Sequence, residues 1–107
     1  MAAHSRYAED AVKLLGHAIR EGRITRRITT IEFAQRAGIS RALLHRIEQG
    51  DINCGIGAVF EAAAIAGVPL FGEDRRGMEK RLAQSSEKLM LLPKAVRSAQ
   101  KPTKDAF

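Results

Sequence analysis

Apolar residues in the first part of the chain recur at the spacing of an amphipathic helix. Over residues 5–21 they fall three or four positions apart, at Ala8, Ala11, Val12, Leu15, Ala18 and Ile19. This period predicts a helix with one buried face, and Gly22 is predicted to end it. Gly16 costs helix propensity inside the segment, which indicates that another backbone passes close to it. The connection that follows is predicted to hold three arginines, Arg23, Arg26 and Arg27.

Residues 29–50 carry the start and stop signals of two more short helices joined by a turn. Thr29 and Glu32 form a capping box, in which the hydroxyl and the carboxylate each accept from an amide at the helix start. Gly38 is predicted to end this helix in the left-handed conformation, and Ser40 to be the N-cap of the next. The pattern is therefore helix, glycine-centred turn, helix.

The pattern after Gly50 predicts a loop followed by further helical segments. Two glycines and an asparagine before Ala58 are typical of a loop, and residues 58–66, nearly all small and apolar, predict a mostly buried helix that ends at Gly67. Pro69 is predicted to begin a fifth helical turn that continues through Phe71. The fold class is thus all-α, with about five short helices in one bundle.

The chain from Arg75 to Leu92 predicts an additional amphipathic helix on an otherwise charged segment. Its apolar stripe consists of Met78, Leu82, Leu89 and Leu92. The stripe has three possible partners: the bundle, a second copy of the chain, or another protein. Pro93 is predicted to stop the helix, and residues 94–107 to be disordered when alone. The predicted division is a bundle over 5–72, a contact helix over 73–92 and a flexible basic tail over 93–107.

Composition and charge narrow the function. The chain of 107 residues has five aromatic residues and no Trp, so its core is expected to consist of Ala, Leu, Ile and Val in one domain. Its net charge is +6, which favours an acidic polymer or an anionic surface as partner, and seven Arg against three Glu lie between Arg20 and Gly50. A lone cysteine, Cys54, excludes an internal disulfide, and we expect a cytoplasmic protein without a membrane span or signal peptide.

The last of the paired helices, residues 41–49, separates into an apolar and a cationic side. An α-helix turns about 100° per residue, so with Leu44 at zero Ile47 lies at about −60°, and the two define the core face. The rest of the helix faces away from the core: Ala42, His45 and Arg46 are expected on the opposite side, at about 160°, 100° and 200°, and Arg41 at the N-terminal end, near 60°.

Such a cationic side suits the major groove of DNA, where Arg bonds bidentately to guanine O6 and N7. Arg41 and Arg46 are therefore the predicted base readers. Ala42 is expected to contact a thymine methyl, and His45 to reach a base or a phosphate. The alternative is that these are exposed residues without a ligand, an interpretation with more weight for His45 than for the arginines.

Four short motifs over about Leu15 to Phe71 resemble the Cro/repressor-type (XRE) helix-turn-helix family. They are Arg23, Thr29-Thr30, Gly38-Ile39-Ser40 and Ile47-Glu48-Gln49-Gly50. The resemblance implies a lambda-repressor-like DNA-binding bundle in which Arg23 and Glu48 form a structural ion pair. Thr30 stands where the family has a phosphate-binding Gln; it can still donate to a phosphate but reaches less far.

Four polar residues are expected to contact phosphates, which fix register without reading sequence. They are Thr30, Ser40, Gln49 and Asn53. For Asn53, a role as a turn residue only is an equal alternative. The histidines at positions 4 and 17 have no companions for a metal site, and the sequence contains no catalytic arrangement. We therefore expect neither a cofactor nor an enzyme.

The C-terminal segment resembles the extension of HipB-like antitoxins. The resemblance rests on residues 89–97, Leu-Met-Leu-Leu-Pro-Lys-Ala-Val-Arg, and on a basic tail that ends in Asp-Ala-Phe. It implies a homodimeric autorepressor that binds a HipA-family kinase toxin, with the apolar stripe and Phe107 as partner-binding residues. The alternative is a stand-alone homodimeric XRE regulator. Either would bind an inverted repeat in double-stranded DNA, with half-sites about 10 base pairs apart or a multiple of that.

Overall fold

The structure, a computed structural model, describes residues 3–97, and the described chain contains five α-helices. They are α1 (Arg6–Thr25), α2 (Thr30–Ala37), α3 (Arg41–Glu48), α4 (Ile56–Ala66) and α5 (Arg75–Met90). The all-α class is confirmed. The chain divides between Glu73 and Asp74 into two compact units, so that α1 to α4 form the bundle and α5 belongs to the second unit.

Small and branched apolar side chains fill the core between the first four helices. Its largest fully buried side chains are Ile19, Phe33 and Leu44, one each from α1, α2 and α3. Around them lie Ile28, Ala34, Ile47, Ala62, Ala63 and Ala66. Both α1 and α2 pack against α3 and α4. Full burial of one large side chain contributes about 1.5–3 kcal/mol, so this cluster positions all four helices.

The prediction that Gly22 ends the first helix is wrong, because α1 continues to Thr25. A Cβ added to Gly22 would meet the carbonyl oxygen of Ala66, at the end of α4. Gly22 therefore serves a close helix crossing and not a helix end. Gly16 has the predicted close neighbour, since its added Cβ would meet the carbonyl oxygen of Ile47.

The residue that closes the first helix is Arg27, which lies two positions after Thr25 and adopts the left-handed conformation with φ 57°. The amide of Arg27 donates to Ile24 O at 2.9 Å, and that of Ile28 donates to Arg23 O at 3.1 Å. This is a Schellman motif, in which glycine usually takes the left-handed position. Arg23 thus lies inside the helix, and not in the connection as predicted.

The predicted caps of the paired helices are present, with one difference in the capping box. Thr29 Oγ1 accepts from the Glu32 amide at 3.1 Å, and Ser40 Oγ accepts from the Leu43 amide at 3.0 Å. Gly38 ends α2 with φ 71°. The Glu32 carboxylate, however, accepts from Arg36 Nη2 at 2.7 Å, an i,i+4 pair that takes it away from the box.

The chain from the loop to residue 73 departs from prediction at the start of α4 and again after its end. The helix begins at Ile56, two residues early, and it buries one face only, with Ile56 itself exposed. No helical turn forms at Pro69. The backbone turns back there, because the Glu73 amide donates to Leu70 O at 2.9 Å and Phe71 has φ 54°.

The second unit consists of α5 and the residues that follow it. Asp74 caps the helix by accepting from the Gly77 amide at 2.8 Å, and the helix ends at Met90, two residues before the predicted end. No residue of α5 is buried. The predicted tail beyond residue 97, with Phe107, lies outside the described residues. Within residues 3–97, no helix has the length and apolar character needed to cross a membrane.

Candidate DNA-binding surface

Helix α3 presents one side to the core and another to solvent. Leu44 and Ile47 are 0% and 2% exposed, as their helical angles predict. The residues predicted to lie on the other side are all exposed: Arg41, Ala42, His45 and Arg46. The apolar and the polar roles of α3 therefore fall on different positions.

A cleft of about 470 Å³ opens beside the exposed side of α3. Its lining comes from α1, the first residue of α2 and both ends of α3: Arg20, Arg23, Thr30, Arg41, Ala42, Leu44, His45, Glu48 and Gln49. Five residues predicted to bind DNA thus line one concavity: Thr30, Arg41, Ala42, His45 and Gln49. Arg46, Ser40 and Asn53 do not line it.

An ion pair between Arg23 and Glu48 lies at the base of this cleft. Arg23 Nε donates to Glu48 Oε2 at 2.7 Å and Nη2 donates to Oε1 at 3.0 Å, with side chains only 12% and 6% exposed. Arg23 Nη1 also donates to Ile28 O at 3.2 Å. The hydrogen bond to Glu48 raises the pKa of Arg23, although burial opposes the shift. The pair ties α1 to the end of α3 and so fixes the position of α3.

Arg20 is a cleft residue that the sequence analysis did not select. It lies one turn before Arg23 on α1, its side chain is 59% exposed, and its Nε is 3.9 Å from Glu48 Oε1. Its spacing of three from Arg23 indicates a shared helix face. The shared face cannot be recognised when the helix is predicted to end at Gly22, between the two arginines.

Arg46 lies outside the cleft and is held by Asp51, in the loop after α3. Arg46 Nε donates to Asp51 Oδ2 at 2.8 Å, and the Asp51 amide donates to Arg46 O at 3.0 Å. The Asn53 amide donates to Asp51 Oδ1 at 2.9 Å. This amide, and then Arg46, lower the pKa of Asp51. Both carboxylate oxygens are therefore engaged.

The remaining candidates have structural surroundings of their own. Ser40 uses its hydroxyl oxygen as an N-cap acceptor, and Asn53 is an exposed loop residue. Cys54 is half-buried, and this burial raises the pKa of its thiol. Over residues 3–97 there is no group of three or more His, Cys, Asp or Glu side chains that could hold a metal ion.

Four packed helices with a cationic cleft beside the third are the architecture of DNA-binding regulators of the helix-turn-helix class. A model of the helix-turn-helix domain family matches residues 14–76, more than half of the chain. The chain therefore belongs to the helix-turn-helix domain family. No curated protein and no solved structure matches it.

Proposed function

We propose that this chain is a sequence-specific transcriptional repressor that inserts α3 into the major groove of its operator. The single observation that carries the proposal is the cleft, since it collects Arg41, Ala42 and His45 beside Thr30 and Gln49. Direct readout needs a few side chains that reach base edges from one helix face, flanked by groups that bind phosphates. The described surface supplies both.

The roles divide by position around the cleft. The proposed guanine readers are Arg41, at the N-terminal end of α3, and Arg46, just outside the cleft. Ala42 and His45 face the bases between them. Polar groups at the borders of the reading surface bind phosphates: Thr30, Ser40, Gln49 and Asn53. Arg20 joins this phosphate-binding set, because it is exposed and lines the same cleft.

A homodimer on an inverted repeat is the proposed assembly. Leu82, Leu89 and Leu92 are 65%, 64% and 50% exposed on the second unit, and exposed leucines at helical spacing are typical of a surface that another chain covers. Two copies would place two reading helices in successive major grooves. The stripe supports this assembly.

The finer proposal is that the chain is the antitoxin of a HipBA-like system. It rests on the resemblance of residues 89–97 and the basic tail to HipB-like antitoxins, and an exposed apolar stripe supports binding to a protein. The chain would then repress its own operon and bind a HipA-family kinase. The second candidate, a stand-alone homodimeric regulator, uses the same stripe for dimerisation alone.

Selection from a random duplex library tests DNA binding. The full chain should enrich a two-fold symmetric consensus, and Arg41→Ala should weaken binding to that consensus about tenfold while relaxing the preference at one base pair. Arg6→Ala, which removes an equal charge from the far end of α1, is the control. Failure of the full chain to enrich any sequence would refute the repressor.

Co-expression with the products of the neighbouring genes tests the antitoxin, which requires a HipA-family kinase among them. A stable complex on purification is expected, and it should weaken when Leu82 and Leu89 are replaced together by Glu. If the kinase does not co-purify while the chain still selects a consensus, the antitoxin proposal fails and the stand-alone regulator remains.

A further inference from the structure

The loop after α3 carries a carboxylate beside the proposed DNA-binding surface, where positive charge is expected because the phosphates of DNA are negative. Asp51 lies beside the reading helix, at the margin occupied by Arg46, with a side chain 32% exposed. A carboxylate there is repelled by phosphates, so by charge alone it weakens binding to every DNA sequence. Its position therefore calls for a role that depends on sequence.

The contacts of Asp51 show how it restrains Arg46. Its backbone amide donates to Arg46 O, and its Oδ2 accepts from Arg46 Nε, so main chain and side chain bind the same residue. The carboxylate cannot rotate freely, because Oδ1 accepts from the Asn53 amide. Arg46 is 48% exposed; without this restraint a long side chain of that exposure would sample many rotamers.

The bond to Asp51 also selects which guanidinium donors face a ligand. It engages Nε, the innermost donor, and so leaves the outer edge of Nη1 and Nη2 for another partner. That edge is planar and matches the O6 and N7 acceptors of guanine. A guanidinium held in one position can bind only an acceptor pair at a matching position, whereas one that rotates freely can bind any phosphate within reach.

We infer that Asp51 is a specificity-determining residue, which positions Arg46 for a base and prevents it from acting as a sequence-independent phosphate clamp. This inference rests on the proposed DNA-binding function. Specificity is a difference between two affinities, and a group that penalises the wrong ligand raises it as surely as one that favours the right ligand.

The test compares two duplexes: the consensus selected by the full chain, and a scrambled duplex of equal length and composition. Asp51→Asn should bind the scrambled duplex about tenfold tighter, with a salt dependence steeper by about one phosphate contact, and it should gain little or lose on the consensus. Glu61→Gln, on an exposed glutamate of α4, makes the same change in net charge and should alter neither affinity.

A second comparison asks whether Asp51 acts through Arg46. In an Arg46→Ala background, Asp51→Asn should no longer change the ratio of the two affinities or the salt slope. Thermal unfolding of each variant excludes a loss of fold as the cause. An unchanged affinity ratio in Asp51→Asn, or an equal gain on both duplexes, overturns the inference while leaving DNA binding intact. If the parent chain binds neither duplex, the proposed function fails and the inference with it.

Discussion

The carboxylate of Glu48 faces two arginines of very different exposure. Arg23 meets it with two hydrogen bonds from a nearly buried position, whereas Arg20 approaches to 3.9 Å from a solvated position. A buried charge without its partner keeps its desolvation cost, but an exposed pair contributes little. Arg23 therefore stabilises the fold, while Arg20 is left for the phosphate contact that we propose for it.

We expect Arg23→Ala to lower the free energy of unfolding by about 3 kcal/mol, because Glu48 would stay buried without its two hydrogen bonds, with only the solvated Arg20 nearby. Arg20→Ala, the matched control, should change it by less than about 0.5 kcal/mol while weakening DNA binding. Urea unfolding followed by circular dichroism measures both. Equal losses of stability in the two variants would contradict this division.

The thiol of Cys54 should react slowly in the folded chain. Burial raises its pKa, so the thiolate fraction at a given pH is smaller than in the unfolded chain, and the thiolate is the reactive form. Ellman's reagent at pH 8 should therefore modify the native protein more slowly than the protein in urea. A faster reaction of the native chain would show that packing against the core does not protect the Cys54 thiol.

At the residue scale, the two sides of α3 could be predicted from sequence because helix geometry alone fixes them. The buried positions of Leu44 and Ile47 follow from their angles. The bond between Arg46 and Asp51 could not be predicted, because it depends on the path of the loop after Gly50, where neither period nor cap constrains the chain. Arg20 was overlooked for a different reason, the misplaced end of α1.

At the element scale, helix ends marked by glycine were predicted well and the one marked by arginine was not. The segments α2 and α4 end at Gly38 and Gly67, both in the left-handed conformation. The same conformation at Arg27 closes α1, and no preference of arginine points to it. The sequence pattern instead predicts the helix end at Gly22, where the missing side chain allows α4 to cross α1 closely.

Substitution of the crossing glycines should therefore destabilise the bundle despite a gain in helix propensity. Gly16→Ala and Gly22→Ala gain up to about 1 kcal/mol from propensity, but each new Cβ meets a backbone carbonyl that cannot move aside cheaply. We expect net losses of about 1–2 kcal/mol.

The control is Gly57→Ala in α4, where an added Cβ meets nothing within 4 Å. This variant should be neutral or stabilised by up to about 0.5 kcal/mol. Thermal melts of the three variants make the comparison. Stabilisation of Gly16→Ala would mean that α1 and α3 can separate at little cost.

At the scale of the whole molecule, the proposed homodimer depends on the apolar stripe of the second unit. Met78, Leu82 and Leu89 lie on one side of α5, with Leu92 just beyond its end, and Gln84 is about 200° around the axis from Leu82. Leu82→Glu should convert a dimer of 11.7 kDa chains into monomers, whereas Gln84→Glu, with the same change in charge, should leave the dimer intact.

Light scattering coupled to gel filtration measures the two masses. If Leu82→Glu keeps the mass of the parent chain, the stripe does not mediate self-association. Sequence could place this stripe but could not choose its partner, since a leucine row offers similar apolar surface to any complementary chain.

In α3, the positions that stabilise the fold differ from those proposed to contact DNA, and this affects how operator preference can evolve. Positions 44, 47 and 48 are buried and hold α3 in the bundle, whereas positions 41, 42, 45, 46 and 49, which are proposed to contact DNA, are all exposed. Mutations that retarget the protein to a new operator can therefore accumulate without eroding its thermodynamic stability. The positions proposed to read bases, 41, 42, 45 and 46, are therefore the ones to vary when operator preference is redesigned.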